Sequence, residues 1–379
     1  MSEQIVKNAR LVLADAVVHG HIRLVDSRID SIGTGPLAAA GLDLEGDYLL
    51  PGLVELHTDN LERHVTPRPG VIWPMQQAVL AHDAQIAAAG ITTVFDAIAL
   101  GDVLPTSFRT ENLDTMADGI ESMQATGLLR ADHLLHLRCE VCYPSLPNLL
   151  EPLIDRPTVR LASLMDHTPG QRQFVSMEKY ASYYQVKFSF TDEQFSEFVE
   201  TRREEQRRYA VRHRHHVVEA CHARGIALAS HDDATEAHVA EAERDGVCVA
   251  EFPTTVEAAA ASRRAGMSVM MGAPNLIRGG SHSGNVSARD LAARGLIDIV
   301  SSDYVPTSLL PAAFLMAELI DGIDLPRAIA TLSKGPAAAV GLTDRGEIAP
   351  GKRADLVRVH PSEAGPIVRT VWREGARVL

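Results

Sequence analysis

The spacing of apolar and polar positions changes several times along this chain, and each change marks an element. At the N-terminal end, short apolar segments run from Val6 to Leu13, His21 to Val25 and Ile29 to Ile32. Turn signals such as Gly33-Thr34-Gly35 separate them, which predicts β-strands. The C-terminal end repeats the pattern with Ala354 to Val359, Ile367 to Trp372 and Ala376 to Leu379, broken by Gly346 and Pro350-Gly351. Neither tail is long enough to enclose a core alone. Residues 1–50 and 344–379 are therefore expected to pair as one composite β domain, a small β-sandwich.

Residues 51–343 alternate between strand and helix patterns, the signature of a parallel sheet. The strands are expected at Leu53–His57, Thr92–Ala97, His133–Val141, Val159–Met165, Ala227–Ser230, Val247–Glu251, Ser268–Met271 and Ile297–Ser302. Eight such strands with intervening helices predict an α/β fold, a (β/α)₈ TIM-like barrel. A helix from Gln76 to Ala89 closes on Gly90, a good residue for the left-handed turn after a helix. Another starts at Thr191, where Thr-x-x-Gln resembles a capping box, and Phe195, Phe198 and Val199 supply its packed face.

Composition narrows the function. The net charge of −13 excludes nucleic acid and anionic membrane as general partners, but not a small anionic substrate drawn in by local positive charge. No apolar run reaches membrane-spanning length, and the start of the chain lacks an export signal pattern. Four cysteines are too few for a disulfide framework, so a cytoplasmic location with reduced thiols is expected.

The chemistry gathers at the C-terminal ends of the strands, where barrel enzymes keep their active sites. Strand one ends in His57-Thr-Asp59, and alternation puts both side chains on one face. Glu140, His167, His231 and Asp303 follow strands three, four, five and eight. A lone strand-end His or Asp is usually a turn residue, but this recurrence around one barrel mouth points to two divalent metal ions, with Glu140 as the bridging carboxylate. Asp166 is expected to support its neighbour His167. The Cys139/Cys142 pair straddles two faces of its strand and is not read as a metal site. The run His213-Arg-His215-His216 is read as a solvated helix face, and His82 as structural. Two loops look built for anions: Arg278-Gly279-Gly280-Ser-His282, and the stretch carrying Arg63 and Arg68. These basic groups and flexible backbone are expected to hold phosphate oxygens.

Across nearly its whole length the chain resembles the amidohydrolase superfamily. Leu49-Leu50-Pro51-Gly52 stands before the first ligand and Gly351-Lys-Arg-Ala-Asp355-Leu near the end. The longer stretches Leu49–Pro74, Met165–Phe174 and Arg278–Ala288 resemble one branch, the triphosphate-cleaving enzymes of the carbon–phosphorus lyase pathway. The resemblance implies hydrolysis of α-D-ribose 1-methylphosphonate 5-triphosphate to the 5-phosphate and diphosphate. It implies His57, Asp59, Glu140, His167, His231 and Asp303 as the metal and catalytic set, with Asp303 moving the proton. The superfamily's usual His-x-His is here His57-x-Asp59, and Glu140 stands for its frequent bridging Lys. Oxygen-rich ligation of this kind admits Mn²⁺ beside Zn²⁺. Two rival readings remain: a cyclic-amide hydrolase or deaminase, which a bridging Lys would favour, and a catalytically silent scaffold. A small phosphorylated molecule is the expected partner, and a homo-oligomer is compatible with the sequence.

Overall fold

The computed structural model describes residues 3–102, 112–172, 177–281 and 284–379. The chain opens with β1 (Glu3–Val12), β2 (Val17–Val25), β3 (Arg28–Thr34), β4 (Leu42–Asp43) and β5 (Tyr48–Pro51). The barrel strands follow: β6 (Leu53–Thr58), β7 (Ile91–Leu100), β8 (Asp132–Glu140), β9 (Val159–Met165), β10 (Ala227–His231), β11 (Val249–Glu251), β12 (Ser268–Gly272) and β13 (Ile299–Ser301). The chain finishes with β14 (Leu356–Ser362), β15 (Gly365–Arg373) and β16 (Ala376–Arg377).

Strands from both ends of the chain pair in one mixed sheet, in the order β16-β15-β14-β5-β1-β2-β3, with β4 beside β1. Val6, Leu11, Ile22, Leu49, Leu356 and Trp372 are buried together on it, so the two tails share a core. The junction with the barrel explains two of the sequence signals. The N–H of Gly52 donates to the Asp355 carbonyl at 2.7 Å. A Cβ on Gly52 would lie 2.9 Å from that of Asp355, so only glycine fits. The Asp355 carboxylate in turn accepts from the Glu374 N–H at 2.8 Å and from Arg353 at 3.1 Å.

The eight strands expected between residues 51 and 343 run in parallel in sequence order. A parallel bridge between Thr58 and Asp303 links the last strand's end to the first. Val54, Leu56, Phe95, Leu161, Ala229, Val249, Met270 and Ile299 pack inside, against Ala337 and Val340 from the helix Lys334–Ala339 and the residue after it. A second, larger apolar layer, including Val94, Leu135, Leu137 and Cys139, lies between the strands and the surrounding helices. The expected capping box forms: Thr191 Oγ1 accepts from the Gln194 N–H at 3.2 Å, and Gln194 Oε1 from the Thr191 N–H at 2.9 Å. It starts the long helix Asp192–His222. Among the described residues no helix is long and apolar enough to cross a membrane.

Candidate active site

One cavity of about 390 Å³ opens at the C-terminal ends of the barrel strands. His57, Asp59, Glu140, His167, His231 and Asp303 all line it. Their positions follow from strand ends that turn sharply. Asp232, Phe252 and Asp303, just beyond β10, β11 and β13, all have positive φ, at 58°, 56° and 55°. Non-glycine residues hold this conformation at a cost, and such strain gathers at functional sites. At Asp303 the surroundings fix it: its N–H donates to the His57 carbonyl at 3.1 Å, and its carbonyl accepts from Thr58 Oγ1 at 2.7 Å.

A buried carboxylate that sequence reasoning missed organises the floor. Glu251, the last residue of β11, accepts from His57 Nδ1 and from His231 Nδ1, each at 2.6 Å, and from Ser163 Oγ at 2.9 Å. The two rings are nearly parallel, 16° apart, with Nε2 of each left for another partner. Burial pushes the Glu251 carboxyl up, but the imidazoles around it, His57 first, hold it well below the usual carboxylate range. Burial acts on His57 in the opposite sense, and the Glu251 charge outweighs it and raises the imidazole's pKa. His136, next to them and bonded to Ser163, is pushed down to about 3 by burial and stays neutral.

His167 is held in the same way. Its Nδ1 lies 2.6 Å from Glu140 Oε2, and its N–H donates to Glu140 Oε1 at 3.2 Å. Glu140, expected to bridge two ions, thus turns both oxygens onto His167 in this arrangement. Asp232 Oδ2 lies 3.2 Å from His231 Nε2 and 4.0 Å from His167 Nε2. That oxygen is buried and has no hydrogen-bond partner among the described residues. Two imidazole edges around an orphaned carboxylate oxygen form a donor set suited to a divalent cation, and carboxylates behind the rings fix their tautomers. Asp232 was therefore a second omission, although it adjoins His231 in the sequence.

Asp303 is largely buried, which raises its carboxyl pKa. His57 and Arg138 oppose that rise and the nearby Asp59 adds to it. Arg138 is the third omission. It stands two residues before Glu140 on β8, so alternation turns it into the cavity, and its side chain is 12% exposed. Its Nε is buried without a partner among the described residues, where the nearest carboxylate oxygen, Asp59 Oδ2, is 4.0 Å from Nη1. A buried donor left unmade costs on the order of 1–3 kcal/mol, more when charged.

The expected anion loops fare unevenly. Arg278 and Gly280 line the cavity, whereas Arg63, Arg68 and Gly279 do not. Arg63 is exposed and donates to the Tyr304 carbonyl at 3.0 Å. The N–H groups of Gly279 and Gly280 both go to the Asn275 carbonyl, at 3.0 and 3.1 Å, because they close the helix Ala273–Arg278. They are not available to cradle phosphate, which corrects the expectation for that backbone. His282 lies outside the described residues.

Other histidines divide as follows. His82, read as structural, is buried: its Nε2 donates to Asp96 Oδ1 at 2.7 Å, and His133 Nδ1 donates to Asp96 Oδ2 at 2.7 Å. His213 departs from the solvated face expected for its run; it is buried, with Nδ1 3.2 Å from the Val141 carbonyl. His215 and His216 on the same helix are exposed. Asp166 supports the His167 loop by accepting from the Thr168 N–H at 2.9 Å.

A family model described as "Amidohydrolase family" matches residues 161–379. The chain is 50% identical over 377 residues to alpha-D-ribose 1-methylphosphonate 5-triphosphate diphosphatase of Escherichia coli (strain K12), covering 99% of this chain and 100% of that one. A shorter match, 35% over 103 residues, joins 22% of the chain to 26% of imidazolonepropionase from Deinococcus deserti. Among solved structures, 5-methylcytosine deaminase from Klebsiella pneumoniae superposes with a TM-score of 0.63 at 15% identity, covering 99% of this chain and 97% of that one. N-acetylglucosamine-6-phosphate deacetylase from Pasteurella multocida gives 0.61 at 13% identity, covering 99% of each. At such identities the likeness speaks for the fold alone.

Proposed function

The chain belongs to the amidohydrolase family, and from that premise we propose that it hydrolyses α-D-ribose 1-methylphosphonate 5-triphosphate to the 5-phosphate and diphosphate. The observation that carries this reading is the end-to-end likeness to the E. coli diphosphatase. The cavity supports it with a cluster of His, Asp and Glu donors beside two arginines, Arg138 and Arg278. Among the described residues no lysine lines the cavity, which counts against the cyclic-amide alternative.

His57, Asp59, Glu140, His167, His231 and Asp232 would hold two divalent cations, Zn²⁺ or Mn²⁺. Bound there, the cations supply Lewis acidity and positive charge toward the phosphoryl oxygens. Glu251 holds the Nδ1 edges of His57 and His231 and so turns the Nε2 edge of each ring toward the cation. Asp303, its carboxyl pKa raised by burial, accepts the proton of the attacking water as the oxygen bonds to the α-phosphorus. The bond to the diphosphate oxygen then breaks, and that oxygen leaves with the electron pair. Arg278, exposed at the mouth, draws the far end of the polyanion inward. We place the enzyme in the cytoplasm, a reading supported by cysteines 139, 142, 221 and 248, all unpaired.

Phosphorus NMR of the purified, metal-loaded protein tests the assignment, with the ribose triphosphate, a nucleoside triphosphate and dihydroorotate as substrates. Equal amounts of diphosphate and 5-phosphate are expected from the first. Ring opening of dihydroorotate with the triphosphate left intact would replace this reading with the cyclic-amide one.

A further inference from the structure

Among the described residues, other buried arginines form ion pairs. Arg172 bonds Asp233 and Glu241, Arg214 bonds Asp245, Arg345 bonds Asp132 and Asp344, and Arg353 bonds Asp132 and Asp355. The Arg138 side chain is 12% exposed, yet its buried Nε has no hydrogen-bond partner among the described residues, and the nearest carboxylate oxygen, Asp59 Oδ2, stays 4.0 Å from Nη1. It sits on the inner face of β8, between the cavity floor and Glu140, and lines the same space as His57, Asp59, His167 and Asp303. A guanidinium whose inner donor is buried without an acceptor is a poor structural element, because only the Asp59 charge 4.0 Å away offsets its desolvation. It becomes favourable when an anion with paired oxygens enters, since its fork of donors matches phosphate geometry.

We infer that Arg138 is a substrate-binding and specificity-determining residue. It holds the non-bridging oxygens of the phosphoryl group under attack, and this rests on the triphosphate reading above. As the water oxygen bonds to the α-phosphorus, its proton passes to Asp303 and the electron pair of the breaking bond leaves on the diphosphate oxygen. Arg138 faces the two oxygens that stay on phosphorus throughout, and its contact strengthens as negative charge gathers there. A neutral amide offers no such oxygens, so Arg138 selects for phosphoryl substrates. Arg278 has a different part: it is exposed at the mouth, so its attraction is screened and acts on capture.

The two arginines are separated by kinetics on the full, metal-loaded chain with the ribose triphosphate. Arg138→Ala is expected to lower kcat by about 10²–10³-fold at unchanged metal content, the size seen when a preorganised donor to developing charge is removed. Arg138→Lys should recover only part, having the charge without the fork. Added guanidinium chloride, below denaturing concentration, should restore activity to Arg138→Ala and not to Arg278→Ala. An Arg138→Ala chain with unaltered kcat, or one that loses metal with activity and is not rescued by guanidinium, overturns the role given to Arg138. If the unmodified chain is inert toward the triphosphate, the reading beneath the inference fails instead.

Discussion

Replacing Glu251 with Gln removes one charge and almost no volume from the floor of the cavity. Glu251 accepts from two imidazole N–H groups at 2.6 Å and from Ser163 at 2.9 Å. The glutamine amide has one acceptor oxygen and one donor nitrogen, so it can satisfy His57 or His231 but not both. The ring facing the NH₂ group must present a bare Nδ1, which moves its proton to Nε2 and removes that nitrogen as a metal ligand. Losing one charge-assisted hydrogen bond costs about 1.5–3 kcal/mol. Loss of such a carboxylate behind a ligating histidine weakens metal binding by about 10–100-fold, or roughly 1.4–2.7 kcal/mol, so the two routes agree. Competition for Zn²⁺ or Mn²⁺ against a chromophoric chelator, starting from metal-free protein, measures this directly, and circular dichroism checks that the fold is retained. Metal affinity within twofold of the unmodified chain, with the fold intact, would refute an orienting role for Glu251.

Asp303→Asn keeps the shape of the side chain and removes the base, so kcat should fall by about 10² or more while metal content holds; metal lost in step with activity would make Asp303 a ligand above all. His133 is raised from 6.5 to about 9: burial lowers it, and the charge of Asp96 more than compensates. Its stabilisation is therefore complete below about pH 6.5 and lost as pH rises through about 9, worth roughly 3 kcal/mol. Asp96, lowered to about 2 by its histidines against the effect of burial, contributes above its ordinary 3.8 and loses that contribution as pH falls through about 2. Urea denaturation of His133→Gln at about pH 6, 8 and 10 should lack the alkaline loss seen in the parent; identical slopes would contradict the assignment. Deleting residues 344–379 strips β14 from β5 and removes Trp372 from the core shared by the tails, so the product should aggregate; a soluble, fully active truncation would show the terminal strands to be independent of the rest.

The barrel was legible because its strands are short apolar runs closed by polar residues, and the same punctuation picked out His57, Glu140, His167, His231 and Asp303. What escaped were residues whose role lies in a partner far along the chain. Glu251 ends a strand like the others, but its two imidazoles are 194 and 20 residues away in sequence. Arg138 shares a strand face with Glu140, a period-two signal that was visible; that it is buried without an acceptor is a three-dimensional fact. The glycine pair 279–280 misled for a related reason. Glycines suit an anion loop and a helix terminus equally, and only the Asn275 carbonyl that takes both N–H groups distinguishes them. His213 was misjudged because a highly charged helix can still bury one stripe against the barrel.

Water attack at the α-phosphorus over this cluster is tested most directly by hydrolysing the ribose triphosphate in ¹⁸O-labelled water and locating the isotope shift by phosphorus NMR. The label should appear in the 5-phosphate, with none in the diphosphate released. Label in the diphosphate, or release of orthophosphate in place of diphosphate, would contradict attack at the phosphorus we assign.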